Sequence, residues 1–120
     1  MDMELYCNGK TIENSTWDNI ESVFEELKVE ADFALTKMLW PETGPIRLTV
    51  QSEDGNYMPM MGVVETPPRV FVNEDGREKE DVIIGGYDVD AMAVTQDFDL
   101  IVRMIKEFYE TGDISPELLK

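Results

Sequence analysis

The side chains that could do chemistry in this chain are mostly carboxylates, because 26 of its 120 residues are acidic, none is histidine and one is cysteine. Without histidine, the commonest general base and metal ligand is missing, and the usual catalytic triads cannot form. Cys7 alone can neither form an intrachain disulfide nor complete a zinc site, so we expect it to be a buried apolar residue. The residue types therefore predict a protein that is not an enzyme and has no cofactor or resident metal.

Calcium is the metal ion that acidic, glycine-containing loops most often suggest. In an EF-hand loop, oxygen ligands at alternate positions precede a glycine. Counting back from Gly76 and from Gly55 places Phe71 and Val50 where the first carboxylate should be, so neither loop fits. An irregular calcium site at Asp88-Val89-Asp90 stays open as an alternative.

The net charge of -16 is the strongest functional signal in the composition. Solubility needs a net charge of only about 2–8, and excess like charge works against compaction. The acids are spread evenly, with a net charge of -8 in each half, which favours a folded body with an acidic surface. Such a surface attracts a basic protein and repels nucleic acids and anionic membranes, so we expect the first as a partner and neither of the others.

The densest acidic stretch runs from residue 74 to residue 99, with nine acids and two bases. Much of it falls in predicted loops, which often carry binding surfaces. Tyr87 lies in its middle as a candidate aromatic anchor, and Tyr57 and Trp40 are further candidates. The residues predicted to bind the partner are Glu74, Asp75, Glu78, Glu80, Asp81, Tyr87, Asp88 and Asp90.

Three methionines, Met58, Met60 and Met61, follow Tyr57. They could form an adaptable contact surface, because methionine is flexible and polarisable. We favour the alternative that they fill the core from a strand.

The elements that must position these residues follow from periodicity. Helical spacing of apolar residues predicts one helix over residues 16–28 and another from Phe98 to Thr111, which ends at Gly112. Pro67-Pro68 is expected to break a strand, and a loop is expected from Gly85 to about residue 96. Strands are predicted over residues 3–7, 33–40, 46–52, 57–64, 69–72 and 82–84.

This order of elements predicts a single α+β domain over residues 1–120. We expect an antiparallel sheet of four to five strands with an N-terminal and a C-terminal helix packed on it. The first ten residues contain no targeting signal, and the apolar runs are far shorter than the roughly 20 residues of a membrane span. The chain is therefore expected to be cytoplasmic.

Three segments carry a resemblance to a known family: the hairpin of residues 48–57, the Gly85-Gly86-Tyr87 step, and the ending of residues 98–112. Together they resemble small acidic immunity proteins of bacterial contact-dependent growth inhibition and related polymorphic-toxin systems. The resemblance covers roughly residues 30–119. It implies a cytosolic protein that binds a cognate toxin domain and blocks its active site. Because many such toxins are nucleases, the toxin is expected to be a basic nuclease. The resemblance fixes no toxin-contacting residue.

Other classes of function share the acidic field and stay open. One is a DNA mimic or regulator that inhibits a nucleic-acid-binding protein, and another is a non-catalytic assembly subunit, whose sign would be a stable homo-oligomer. A third is a small calcium-responsive module. The oligomeric state does not follow from the sequence.

Overall fold

A computed structural model describes residues 2–119. The strands are β1 (Met3–Cys7), β2 (Lys10–Ile12), β3 (Glu30–Lys37), β4 (Gly44–Glu53), β5 (Asn56–Val64), β6 (Thr66–Val70), β7 (Val82–Ile84) and β8 (Tyr87–Val89). The α-helices are α1 (Trp17–Glu21), α2 (Phe24–Val29) and α3 (Phe98–Thr111), and two 3-10 turns span Glu74–Gly76 and Ala91–Ala93. None of these helices is long and apolar enough to cross a membrane.

The first six strands form one antiparallel sheet in the order β2-β1-β3-β4-β5-β6, and β7 and β8 form a separate hairpin. The predicted α+β class and antiparallel pairing are confirmed, but the main sheet has six strands rather than four to five. One additional strand is β2, which has three exposed residues and no alternation to reveal it. The hairpin turn of Asp54 and Gly55, both with positive φ, joins β4 to β5 as predicted.

β5 ends at Val64 as predicted, but the break falls at Glu65, and Pro67 and Pro68 lie inside β6 instead of between the strands. Because β6 is the outermost strand, one side of it has no ladder to maintain, and proline is tolerated there. The prolines also remove N–H donors from an exposed edge, which discourages pairing with another chain.

The helices cover one face of the sheet and bury its core. Alternate strand residues, among them Leu5, Phe33, Leu35 and Leu48, join helix residues of α3 in one apolar cluster. The helix predicted over residues 16–28 is interrupted between α1 and α2, because the Val23 N–H bonds to the carbonyl of Ile20, three residues earlier. The C-terminal helix has its predicted bounds, with an Asp97 N-cap and Gly112 in the left-handed region at φ 78°.

The opposite face of the sheet is here called the open face, because no helix within residues 2–119 covers it. Its side chains are half-buried. Its central row runs from β1 to β5 through Tyr6, Ala34, Thr49 and Met60. The three methionines of β5 divide between the two faces, because alternate strand residues point opposite ways. Met61 is in the core as predicted, whereas Met58 and Met60 lie on the open face, so their assignment to the core was wrong.

Candidate protein-binding surface

Residues 73–95 form a compact unit at one end of the molecule, here the acidic lobe. It comprises the two 3-10 turns and the β7–β8 hairpin. Tyr57 of β5 and Thr95 exchange backbone hydrogen bonds of 2.8 and 2.9 Å, which fasten the end of the lobe to the main sheet. The lobe is therefore positioned by the fold and is not a free loop.

Asn73 and Asp90 hold the two 3-10 turns of the acidic lobe together. The Asn73 side chain accepts a hydrogen bond from the Asp75 N–H at 3.2 Å and donates one to the Val94 carbonyl at 2.9 Å. Asp90 accepts a hydrogen bond from the Met92 N–H at 2.9 Å and so caps the second turn. One of the predicted acidic residues, Asp90, thus also stabilises the surface that carries it.

Gly76 lets the two turns approach each other. It is buried, and a Cβ built on it would lie 2.5 Å from the carbonyl oxygen of Ala91. Only glycine fits that backbone contact without displacement. A side chain here would push the first turn, with Glu74 and Asp75, away from the second.

All seven carboxylates predicted to bind the partner are exposed. They belong to Glu74, Asp75, Glu78, Glu80, Asp81, Asp88 and Asp90. The two bases in the same stretch, Arg77 and Lys79, leave a net charge of -5, and Arg77 forms an ion pair with Glu74. The structure therefore places the predicted acids on one solvent-facing lobe with few cations of its own.

Two apolar side chains protrude among these carboxylates. Tyr87 is 77% exposed on β8, and Ile83 is 56% exposed on β7. Of the other candidate anchors, Trp40 is 70% exposed in the β3–β4 loop, whereas Tyr57 is 3% exposed and packs on Phe98 in the core. Tyr57 is therefore excluded as an anchor, because a binding residue must be reachable from solvent.

A groove of about 310 Å³ lies between the β7–β8 hairpin and the end of the main sheet. Tyr87 and Gly85 form one side, and Glu30 and Asp32 of β3 lie on the other. Asn8 and Gln51 add polar groups, and no lysine or arginine within residues 2–119 lines the groove. The arrangement can accept a cationic side chain from a partner beside an aromatic ring.

Sequence reasoning missed the acids at this groove, because strand pairing alone brings them together. Glu30 of β3 lies directly opposite Glu53 of β4, and Glu53 accepts a hydrogen bond of 3.2 Å from the Gly85 N–H. Desolvation, followed by the side-chain hydrogen bond and the charge of Glu30, raises the pKa of Glu53 above its ordinary value, and the Gly85 N–H opposes this only in part. Like charges directly opposite in a sheet are destabilising, so this pair is a cost to the fold.

Cys7 is buried in β1, as predicted, with its thiol 3.6 Å from a carboxylate oxygen of Glu26. Burial, with the charge of Glu26, raises its pKa to about 11, so it is protonated at neutral pH. Asp88 and Asp90 belong to no set of three or more acidic, cysteine or histidine side chains that could hold a metal ion among residues 2–119.

The comparisons with known proteins identify the family and the fold. A model of a family of unknown function, DUF6911, matches residues 3–118, and the chain belongs to that family. A search of curated proteins found no match.

A solved structure of a hypothetical protein from Neisseria gonorrhoeae is similar, with a TM-score of 0.76 and 18% sequence identity. The alignment covers 95% of this chain and 90% of the other. At this identity the similarity concerns the fold alone.

Proposed function

We propose that this chain is an immunity protein that binds a basic toxin domain in the cytoplasm and blocks its active site. The observation that carries the proposal is the acidic lobe, which presents seven exposed carboxylates around the exposed Tyr87. The resemblance to small acidic immunity proteins suggests that the partner is a toxin. The negative charge of the lobe suggests that this toxin is positively charged. A nuclease is basic where it holds the phosphate backbone, so carboxylates can occupy the places of phosphates.

Charge and apolar contact contribute to different steps of such binding. The net charge of -16 accelerates encounter, and electrostatically steered association can reach roughly 10⁸–10⁹ M⁻¹s⁻¹. Exposed ion pairs add little to the lifetime of a complex, whereas a buried aromatic anchor adds much. Tyr87 is suited to that role, because it stands free of the core beside the groove.

The experiment is a capture from the source cells with the neighbouring open reading frames expressed. One variant neutralises five lobe acids as amides, at Glu78, Glu80, Asp81, Asp88 and Asp90. A matched control neutralises five exposed acids elsewhere, at Glu13, Asp18, Glu21, Glu110 and Glu117, and so has the same net charge.

The native chain and the control should retain a basic toxin domain and protect cells from it, and the lobe variant should associate at least about tenfold more slowly. Equal loss in both variants would mean that net charge acts without a defined surface. Capture of no basic protein, or of a basic protein that is not toxic, would contradict the immunity function.

A further inference from the structure

A second exposed surface lies at the other end of the sheet, in the β3–β4 loop. Leu39 and Trp40 are 87% and 70% exposed, and Met38 is 39% exposed. Beside them opens a cavity of about 200 Å³, which Trp40 lines together with Glu4, Thr36 and Arg47 of the open face. Two neighbouring apolar side chains exposed to this degree, next to a cavity, indicate a contact site.

The charge of this surface is more balanced than that of the acidic lobe. Its cavity is lined by one acid, Glu4, and by the base Arg47, whereas the ammonium group of Lys37 lies over the Phe108 ring on the helix-covered face. A cationic partner gains nothing here. Two copies of a chain with a net charge of -16 repel each other, so they can associate only through a region where acids are few.

Glu4, Thr36 and Arg47 form one row across β1, β3 and β4, with Thr36 in the middle. The Arg47 Nε donates a hydrogen bond of 2.9 Å to the Thr36 hydroxyl, and neither Glu4 nor Arg47 forms an ion pair within residues 2–119. A twofold axis along β3 would place Glu4 of each copy over Arg47 of the other. The row is therefore self-complementary, as a symmetric dimer requires.

We propose that two copies of this chain form a dimer through the Trp40 end of the open face. The part of the open face that lies on the Trp40 side of Asp32 extends roughly 10 Å along the strands and roughly 20 Å across β1 to β6, which is about 200 Å² before the β3–β4 loop is added. Standard interfaces bury about 600–1,000 Å² per partner, so we expect a weak dimer that depends on the protruding loop. The cavity beside Trp40 has room for one apolar side chain, and Leu39 of the second copy is the most exposed one on this surface.

Edge pairing is a poorer route to such a dimer. The sheet ends at β6 with Pro67 and Pro68, and at β2 with only three residues. Both features limit the ladder that a second chain could add. The dimer contact leaves the acidic lobe outside, so dimerisation is independent of whether the lobe binds a toxin.

The test is the mass of the full chain by sedimentation equilibrium over a hundredfold range of concentration, at about 0.05 M and about 0.5 M salt. We expect twice the 13.7 kDa of one chain, and tighter association at high salt because the mutual repulsion is screened. Binding of a cationic protein would respond to salt in the opposite direction. Trp40→Ala should weaken the dimer at least about tenfold.

Charge reversal gives a sharper test, because restoration of the dimer on mixing two variants cannot be explained by misfolding of either one. Glu4→Arg alone and Arg47→Glu alone should each weaken self-association by roughly tenfold, since each puts like charges opposite each other. Mixing the two variants should restore a dimer, because each cation then faces a carboxylate. Circular dichroism confirms that each variant is folded.

Fluorescence locates the contact at Trp40. In the Trp17→Phe variant Trp40 is the one tryptophan left, and its emission should shift to shorter wavelength as the dimer forms. Three results would overturn the proposal. They are a monomer under all conditions, a dimer indifferent to the substitutions and to mixing, and a monomer whose Trp40 is covered only when a cationic protein binds.

Discussion

At the scale of single residues, substitution of Tyr87 should affect binding without affecting stability. Its side chain is 77% exposed, so Tyr87→Ala should change the free energy of unfolding by less than about 0.5 kcal/mol. If it anchors the toxin domain, the same substitution should weaken binding by about 2 kcal/mol or more, mainly through faster dissociation. Surface plasmon resonance and thermal unfolding measure the two effects.

Tyr57→Ala is the matched comparison for Tyr87→Ala. Tyr57 is buried against Phe98, so its truncation should cost about 3–5 kcal/mol of stability. Unchanged binding by a folded Tyr87→Ala variant would remove Tyr87 from the proposed interface.

The Glu30–Glu53 pair predicts a dependence of stability on pH. The raised pKa of Glu53 means that the folded state binds its proton more tightly than the unfolded state does. Protonation of Glu53 removes its repulsion with Glu30, so the folded state gains stability at acid pH. This gain is lost as the pH rises from the ordinary glutamate pKa through the raised pKa of Glu53.

Glu53→Gln should consequently raise the melting temperature at pH 7 and have little effect at acid pH, while keeping an acceptor for the Gly85 N–H. Melting curves across that pH range, with Glu13→Gln as the control for one exposed charge, check this. A Glu53→Gln variant that is less stable at pH 7 would contradict the repulsive pair.

At the scale of elements, the acidic lobe depends on the close approach of its two 3-10 turns at Gly76. Gly76→Ala introduces a Cβ where only 2.5 Å separates it from the Ala91 carbonyl oxygen, and such overpacking typically costs about 1–3 kcal/mol. We expect faster hydrogen exchange at the amides of Asp75 and Met92, which the lobe's asparagine and aspartate caps protect.

Gly62→Ala is the control for Gly76→Ala, because a Cβ at Gly62 would meet its nearest neighbour at an ordinary 3.8 Å. It should leave exchange in the lobe unchanged. Similar exchange in both variants would show that the turns do not depend on their contact at Gly76.

The sequence predicted the elements whose pattern is local and strong. Asp97, the apolar stripe of α3 and Gly112 specify that helix with both of its ends, and Asp54-Gly55 specifies the β4–β5 hairpin. The strands β2 and β8 were missed, since each has only three residues, too few to show an alternating pattern. The pair Gly85-Gly86 was interpreted as the start of a loop, but it is the turn of the β7–β8 hairpin.

The candidate site also has features that could be predicted from the sequence and features that could not. Exposure of the acids in residues 74–90 and of Tyr87 followed from composition alone. The proximity of Glu30, Asp32 and Glu53 to Tyr87 did not, because it depends on strand register across more than twenty residues. The sequence also could not show that Met61 lies in the core and Met60 on the open face, because this depends on which side of the sheet the helices cover.

At the scale of the whole molecule, the two exposed aromatic sites lie at opposite ends of the sheet, in a body of 40 × 29 × 22 Å. The acidic lobe holds Tyr87 among carboxylates, whereas Trp40 lies beside one acid, Glu4, and one base, Arg47. Under the two proposals above, one end attracts a basic protein and the other contacts a second copy of this chain. The two interactions should respond to salt in opposite directions.

The rate at which the chain associates with the proposed basic toxin domain, measured by stopped flow as a function of salt, tests the central claim most directly. The account predicts that the association rate falls at least about tenfold between 0.05 M and 0.5 M salt. The dissociation rate should change little, because it depends on apolar contact at Tyr87. An association rate that is the same at low and high salt would contradict the claim that the acidic lobe captures a cationic protein.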